Sequence, residues 1–346
     1  MGWERIRGHD ANVAKLQSAF SRSRLAHAYL FVGPDGIGKK LFAEEFTKAL
    51  LCKHPPAALV ACDRCPSCLH VMARTHPDVI MAAKPDDKLE LPIDIVRGFC
   101  MQLGLKPSRG SRKVAILEDA DCFNDESANC FLKTLEEPPA GSVLILLAGS
   151  TEQQLPTILS RVQVLRFQPL TVPDLERVLS LHDLGDETKI ARLARTCGGS
   201  VGVALSLADA DLGDFRMVLL KAMSQNRPDS PALAEKWLRF TEEAGKDGAA
   251  QRGRTSAVIR VLVSQLQAAL RLAFGSTADD LDTEERAALG LLAQNAGADG
   301  IVAMLEACVE ADRLIDRRVQ LALILEQLAD KLCPARSAST SPRAIS

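Results

Sequence analysis

Gly33-Pro34-Asp35-Gly36-Ile37-Gly38-Lys39 stands directly after the apolar run 28–32 (AYLFV). Directly behind it Leu41, Phe42, Phe46, Ala49 and Leu50 recur at three- to four-residue spacing. A G-x-x-x-x-G-K string between a strand and a helix has the form of a phosphate loop. Its glycines let the backbone come close to an anion, its N–H groups turn inward, and the helix N-terminus adds a favourable dipole. Lys39 is then the side chain that reaches the β- and γ-phosphates. Further apolar runs at 79–82, 113–117 and 143–148 read as buried strands, each separated from the next by helical periodicity. Strands that alternate with helices imply a parallel sheet with crossover helices. The fold class is therefore an α/β P-loop domain.

The texture changes after Pro169. Residues 172–210 predict two or three short helices broken at Gly198-Gly199, and from about 213 the chain is helical throughout, most clearly at 254–273 and 300–332. The plan is an α/β domain (1–167), a small helical domain (168–211) and a helical bundle (212–333). The polar, aperiodic tail 334–346 is expected to be disordered. A chain of 346 residues with 47% hydrophobic and 25% charged residues supports cores for such domains. No run reaches about 18 uninterrupted apolar residues, and MGWERIRGHD lacks a signal-peptide core, so a cytoplasmic location without membrane contact is expected. A net charge of -2 means that any contact with nucleic acid comes from a local patch or through partners. Aromatic residues, at 4%, argue against a base-stacking platform.

The phosphate loop departs from a working one at its next position. Ser or Thr there supplies a hydroxyl to Mg²⁺, but this chain has Lys40, a cation with no acceptor. The strand 113–117 runs into Glu118-Asp119, where ATPases of this kind usually end in Asp-Glu. The order is reversed, so the would-be base is one methylene shorter. Both departures point to lost Mg²⁺ ligation and lost hydrolysis, and they leave open whether ATP or ADP still binds.

Cys52, Cys62, Cys65 and Cys68 read C-x9-C-x2-C-x2-C. Two overlapping C-x2-C steps suit tetrahedral Zn²⁺, and an all-sulfur set with no open position suits a structural ion. His54 and His70 stand by as reserve ligands. The six other cysteines read as ordinary thiols.

On residue type alone Arg161, in Leu155-Pro-Thr-Ile-Leu-Ser160-Arg161-Val162, would cap a helix C-terminus. Its string belongs with two others: His27-Ala-Tyr-Leu-Phe-Val-Gly-Pro34 and Asn129-Cys-Phe-Leu-Lys-Thr-Leu-Glu-Glu-Pro-Pro139. Together they resemble the clamp-loader subunits of bacterial DNA polymerase III, members of the AAA+ family, densely over residues 1–210 and more thinly beyond. The resemblance implies an AAA+ domain with a zinc insertion at 52–68, a helical lid and a C-terminal collar. It implies partnership with gamma/tau-like and delta-like subunits in a hetero-oligomeric ring, and with a sliding clamp and primed DNA through that ring. It also implies that Arg161 enters a neighbour's ATP site as a trans arginine finger, as in the family's Ser-Arg-Cys motif. Here the Cys position is Val162, which leaves the guanidinium chemistry intact.

Within the family, motor subunits hydrolyse ATP while the delta-prime branch is hydrolysis-poor. Lys40 and the Glu118-Asp119 order favour the second branch. So does Gly202, which stands where motors carry a lid arginine. The resulting expectation is a stator that serves a neighbour's site. A motor subunit with unusual metal ligation and a non-catalytic interaction module are the alternatives.

Overall fold

The apolar runs become the strands of a parallel sheet. A computed structural model describes residues 2–333 apart from 86–87, 89, 109, 111, 226–227, 246 and 276–282, and the expected tail 334–346 lies outside the described residues. The strands are β1 (Ala28–Val32), β2 (Val79–Ala82), β3 (Lys113–Leu117), β4 (Ser142–Ala148) and β5 (Gln163–Arg166). Their order is β2-β3-β4-β1-β5, all pairs parallel, with Ala28 opposite Leu144 and Tyr29 opposite Gln163. Every residue of β1, β3 and β4 is buried. Parallel strands covered on both faces require such continuous apolar runs.

Helices flank the sheet: α1 (Asp10–Ser21), α2 (Lys39–Leu51), α3 (Pro66–Met72), α4 (Ile93–Gly104), α5 (Asp125–Glu136) and the single turn α6 (Pro156–Leu159). The side-chain alternation of β1 divides the core into two layers. Tyr29 and Phe31 face Phe42 and Phe46 of α2, while Leu30 and Val32 lie with Phe99 of α4 and Phe131 of α5. Asn124 caps α5 through a reciprocal capping box with Ser127.

β5 goes beyond the sequence reading, which ends the sheet at β4. It is an edge strand in which only Leu165 is buried, so no apolar run marks it. The following helices are α7 (Val172–Leu179), α8 (Glu187–Thr196), α9 (Val201–Ala208), α10 (Ala210–Ser224), α11 (Ser230–Glu242), α12 (Gly248–Ala273), α13 (Thr283–Asp316, kinked at Gly297) and α14 (Leu321–Leu332). The stretch 300–332 is thus two helices, parted by a turn in which Arg318 takes φ 54°.

The chain resolves into two units, residues 1–182 with 199–202, and residues 183–198 with 203–346. In the second, Trp237 is fully buried among Phe215, Leu262, Leu289, Ile301 and Leu325. By length and composition α12 and α13 would suffice to cross a membrane, yet Val258, Leu262 and Leu266 of α12 share that core with Leu289, Leu292 and Ile301 of α13.

Candidate functional site

The phosphate loop joins β1 to α2, with Gly36 and Gly38 at φ 75° and 97°, conformations that L side chains rarely adopt. At Gly36 a Cβ would also run into Ser200 Oγ and would lie 2.9 Å from Gly202 Cα, because 199–202 is laid across the loop. Ser200 Oγ donates to Asp35 O at 2.9 Å, and Gly202 N to Gly36 O at 3.1 Å. From the other side the buried His9 ring bonds Ile37 O at 2.9 Å and packs edge-on against Phe167. Lys39, 9% exposed, turns its ammonium onto the loop itself: onto Gly33 O, Pro34 O at 3.0 Å and the Asp35 carboxylate at 3.2 Å. A phosphate would compete with these partners for the same charge.

Lys40 and Glu118, 78 residues apart, meet in an ion pair of 2.7 Å, half-buried on the Glu118 side. The ammonium thus lies against the first carboxylate after β3, where the sequence reading places the divalent cation of a working site as counter-charge. Asp119 does not join them. It takes φ 53° and accepts from Lys84 N at 3.3 Å, and burial pushes its carboxyl above the usual range. Burial likewise raises Asp121, which accepts from Gly149 N at 2.6 Å and Gln154 Nε2 at 2.7 Å and so ties the end of β3 to the end of β4.

The four cysteines converge. Sγ atoms of Cys52, Cys62, Cys65 and Cys68 all lie within 4.8 Å of one another, and no histidine joins them among the described residues. A tetrahedral Zn²⁺ with Zn–S bonds of about 2.3 Å needs sulfurs roughly 3.8 Å apart; the Cys62–Cys68 pair stands at 4.0 Å. Backbone amides of Cys62, Cys65 and Cys68 point at the sulfurs of Cys52, Cys62 and Cys65 at 3.3, 3.4 and 3.5 Å. Burial opposes the Cys65 thiolate, but the amides of Cys68 and Lys53 outweigh it and bring the thiol down to about 6. Donor set, spacing and geometry are consistent with a structural zinc site.

Arg161 sits just ahead of β5, 36% exposed. One guanidinium nitrogen donates to Thr157 O at 2.9 Å and Ser160 Oγ at 3.0 Å, so the helix-capping reading of this residue is also satisfied. The other donates to Glu136 Oε1 at 2.7 Å. Both residues line an open depression of about 680 Å³ together with His27, Leu135 and Gln163.

Sequence reasoning missed His9, Asp121, Glu136 and Ser200. Glu136 lies inside the Leu-Glu-Glu-Pro-Pro string already quoted and was the one within reach. The others touch the site only through contacts between residues 28 to 165 positions apart.

A parallel sheet in this order, a phosphate loop after β1 and a four-cysteine insertion behind the next helix define an AAA+-like P-loop module. The family profile described as "DNA polymerase III, delta subunit" matches residues 8–171. Subunit delta' of DNA polymerase III from Pseudomonas aeruginosa is 36% identical over 224 residues, covering 62% of this chain and 67% of that protein. Subunit delta' from Escherichia coli is 30% identical over 62% of this chain and 64% of its own length. Subunit tau from Bacillus subtilis is 31% identical over 64% of this chain and 38% of its own length. The chain belongs to the DNA polymerase III delta-prime family of clamp-loader subunits.

Proposed function

We propose that this chain is a stator of the clamp loader: it hydrolyses no ATP itself and lends Arg161 to ATP held by a neighbouring gamma/tau-like subunit. The observation that carries this reading is the contrast between two cations. Lys39, 9% exposed, is bound by its own loop, whereas Arg161, paired at 2.7 Å with the 51% exposed Glu136, stands at the rim of an open depression. Bound ATP and Mg²⁺ would supply the phosphoryl group and its counter-charge at the neighbour's site. There a guanidinium stabilises the negative charge that develops on the transferred group. The chain's own part is to hold that guanidinium on β5 and α6, which are fixed by the sheet.

Within the chain's own loop, a phosphate would have to displace Lys39 from Gly33 O, Pro34 O and Asp35, and Mg²⁺ would have to displace Lys40 from Glu118. Gly202, packed on Gly36, offers no cation to a γ-phosphate. The four thiolates hold Zn²⁺ and brace the insertion at the end of α2. Partners are the gamma/tau and delta subunits, and through them the sliding clamp and primed DNA, in the cytoplasm. Two measurements test the reading. The isolated chain should show background Mg²⁺-dependent turnover, and a complex reconstituted with Arg161→Ala should assemble but lose part of its ATPase and more of its clamp loading. Robust turnover by the isolated chain, abolished by Lys39→Ala, would instead make it a motor subunit.

A further inference from the structure

We propose that Glu136 is the counter-ion that keeps Arg161 off the triphosphate it serves, so that the arginine engages only when a nucleotide in trans outcompetes the carboxylate; this rests on the trans-arginine reading above. The guanidinium is held by three bonds, two to the α6 turn and one to Glu136 Oε1 at 2.7 Å. Glu136 is the last residue of α5, where backbone carbonyls add to the negative potential that a cation meets. Pro138 and Pro139 prevent the helix from continuing, so the carboxylate is presented from a fixed backbone position.

The pair is strong enough to orient and weak enough to break. Its side chains are 36% and 51% exposed, and exposed ion pairs shift an equilibrium by a factor of about five at most. Phosphate oxygens carry more charge than one carboxylate and can accept from two guanidinium nitrogens together. A triphosphate reaching the depression therefore wins the arginine, but only after paying the Glu136 contact and meeting its negative charge. Glu136 is in this sense a positioning residue. Its removal changes how much ATP is needed to engage Arg161, and leaves the rate of the engaged complex as it is.

The test is steady-state ATP turnover by the reconstituted clamp-loader complex, followed over ATP concentration and salt. It reads the fraction of turnover that Arg161→Ala removes. Glu136→Gln should lower KM for that fraction about two- to fivefold with kcat unchanged. Glu136→Asp, which keeps the charge, should stay near wild type. The difference between Gln and wild type should shrink as salt screens the exposed pair. In an Arg161→Ala background Glu136→Gln should change nothing. If Arg161→Ala lowers turnover while Glu136→Gln assembles with an unchanged or raised KM, the counter-ion role is overturned and the trans arginine stands. If Arg161→Ala itself turns over at the wild-type rate, the trans reading falls and this inference with it.

Discussion

The two edges of one sheet treat charge in opposite ways. At the carboxyl edge, Lys39 is bound by loop carbonyls and Asp35, Lys40 by Glu118, and Asp121 by Gly149 N and Gln154. At the amino edge of β4 and β5, Glu136 and Arg161 form a half-exposed pair beside an open depression. An ammonium folded back onto its own loop, as at Lys39, is already used, whereas a guanidinium at an open rim, held by a half-exposed carboxylate, can be taken by a stronger anion. In the proposed stator role the same α/β frame keeps its geometry without nucleotide chemistry of its own, and the frame is what a neighbour needs.

The largest effect separating the two edges is expected at Arg161. Arginines delivered in trans contribute about 10³–10⁵ in rate. Arg161→Ala should therefore nearly silence the one neighbouring site it serves, while interfaces with their own arginines keep the rest of the turnover. Single-turnover ATP hydrolysis on the assembled complex reads this as a missing phase. Arg161→Lys should restore little of it, because a point ammonium cannot reproduce the planar fork. A full-amplitude trace from either variant would erase the contrast between the edges.

Next in size is the cysteine cluster, which lies outside both edges and so tests whether their difference is intrinsic. Cys65→Ser should bring zinc below one ion per chain in metal analysis and lower stability by several kcal/mol. That is less than the about 10–16 kcal/mol seen for peptides that fold only on metal, because the two-layer core of the α/β unit persists. Zinc retained at one per chain with Cys65 replaced would remove Cys65 from the ligand set.

How much of this was legible beforehand depends on the range of the interaction. β1, β3 and β4 were readable because burial on both faces demands unbroken apolar runs, and each run is buried throughout. The cysteine module was readable because its last three ligands lie within seven residues. β5 was not, since Gln163, Val164 and Arg166 around Leu165 carry no strand-like pattern. The Lys40–Glu118 and Glu136–Arg161 pairs were not either. Each residue was singled out or quoted, but its partner was fixed by the order of the strands across the sheet, and local patterns do not contain that.

A smaller effect is expected where Lys48 ties α2 to the cysteine module. Its ammonium, 2% exposed, lies 2.7 Å from both Glu45 and Asp63. Lys48→Met should cost toward the lower end of about 3–5 kcal/mol, since Glu45 keeps Arg5 at 3.1 Å and Asp63 is partly exposed. Burial works against the Lys48 charge, but its bonds to Asp63 and Glu45 outweigh it and raise the group above its ordinary 10.5. A raised lysine contributes its full stability below that ordinary value and loses it as pH climbs through the folded one. Denaturant titrations of wild type and Lys48→Met should therefore differ by a constant amount through neutral pH and converge in strong alkali. Curves that stay parallel there would assign the loss to packing of the stem.

The smallest effect tests the carboxyl edge directly. Lys40→Thr restores the residue type that ligates Mg²⁺ in a working loop, and a reader of the loop alone would expect activity to return. Three obstacles remain after the change. Asp119 is turned to Lys84 N, its shorter side chain stands where a base would be Glu, and Gly202 supplies no lid arginine. The expected turnover of Lys40→Thr is therefore still background. Its stability should fall by no more than about 1 kcal/mol, because the lost partner of Glu118 was 42% exposed and water can replace much of it. Measured Mg²⁺-dependent hydrolysis by this single variant would mean that Lys40 alone closes the site, and that the two edges differ by one side chain.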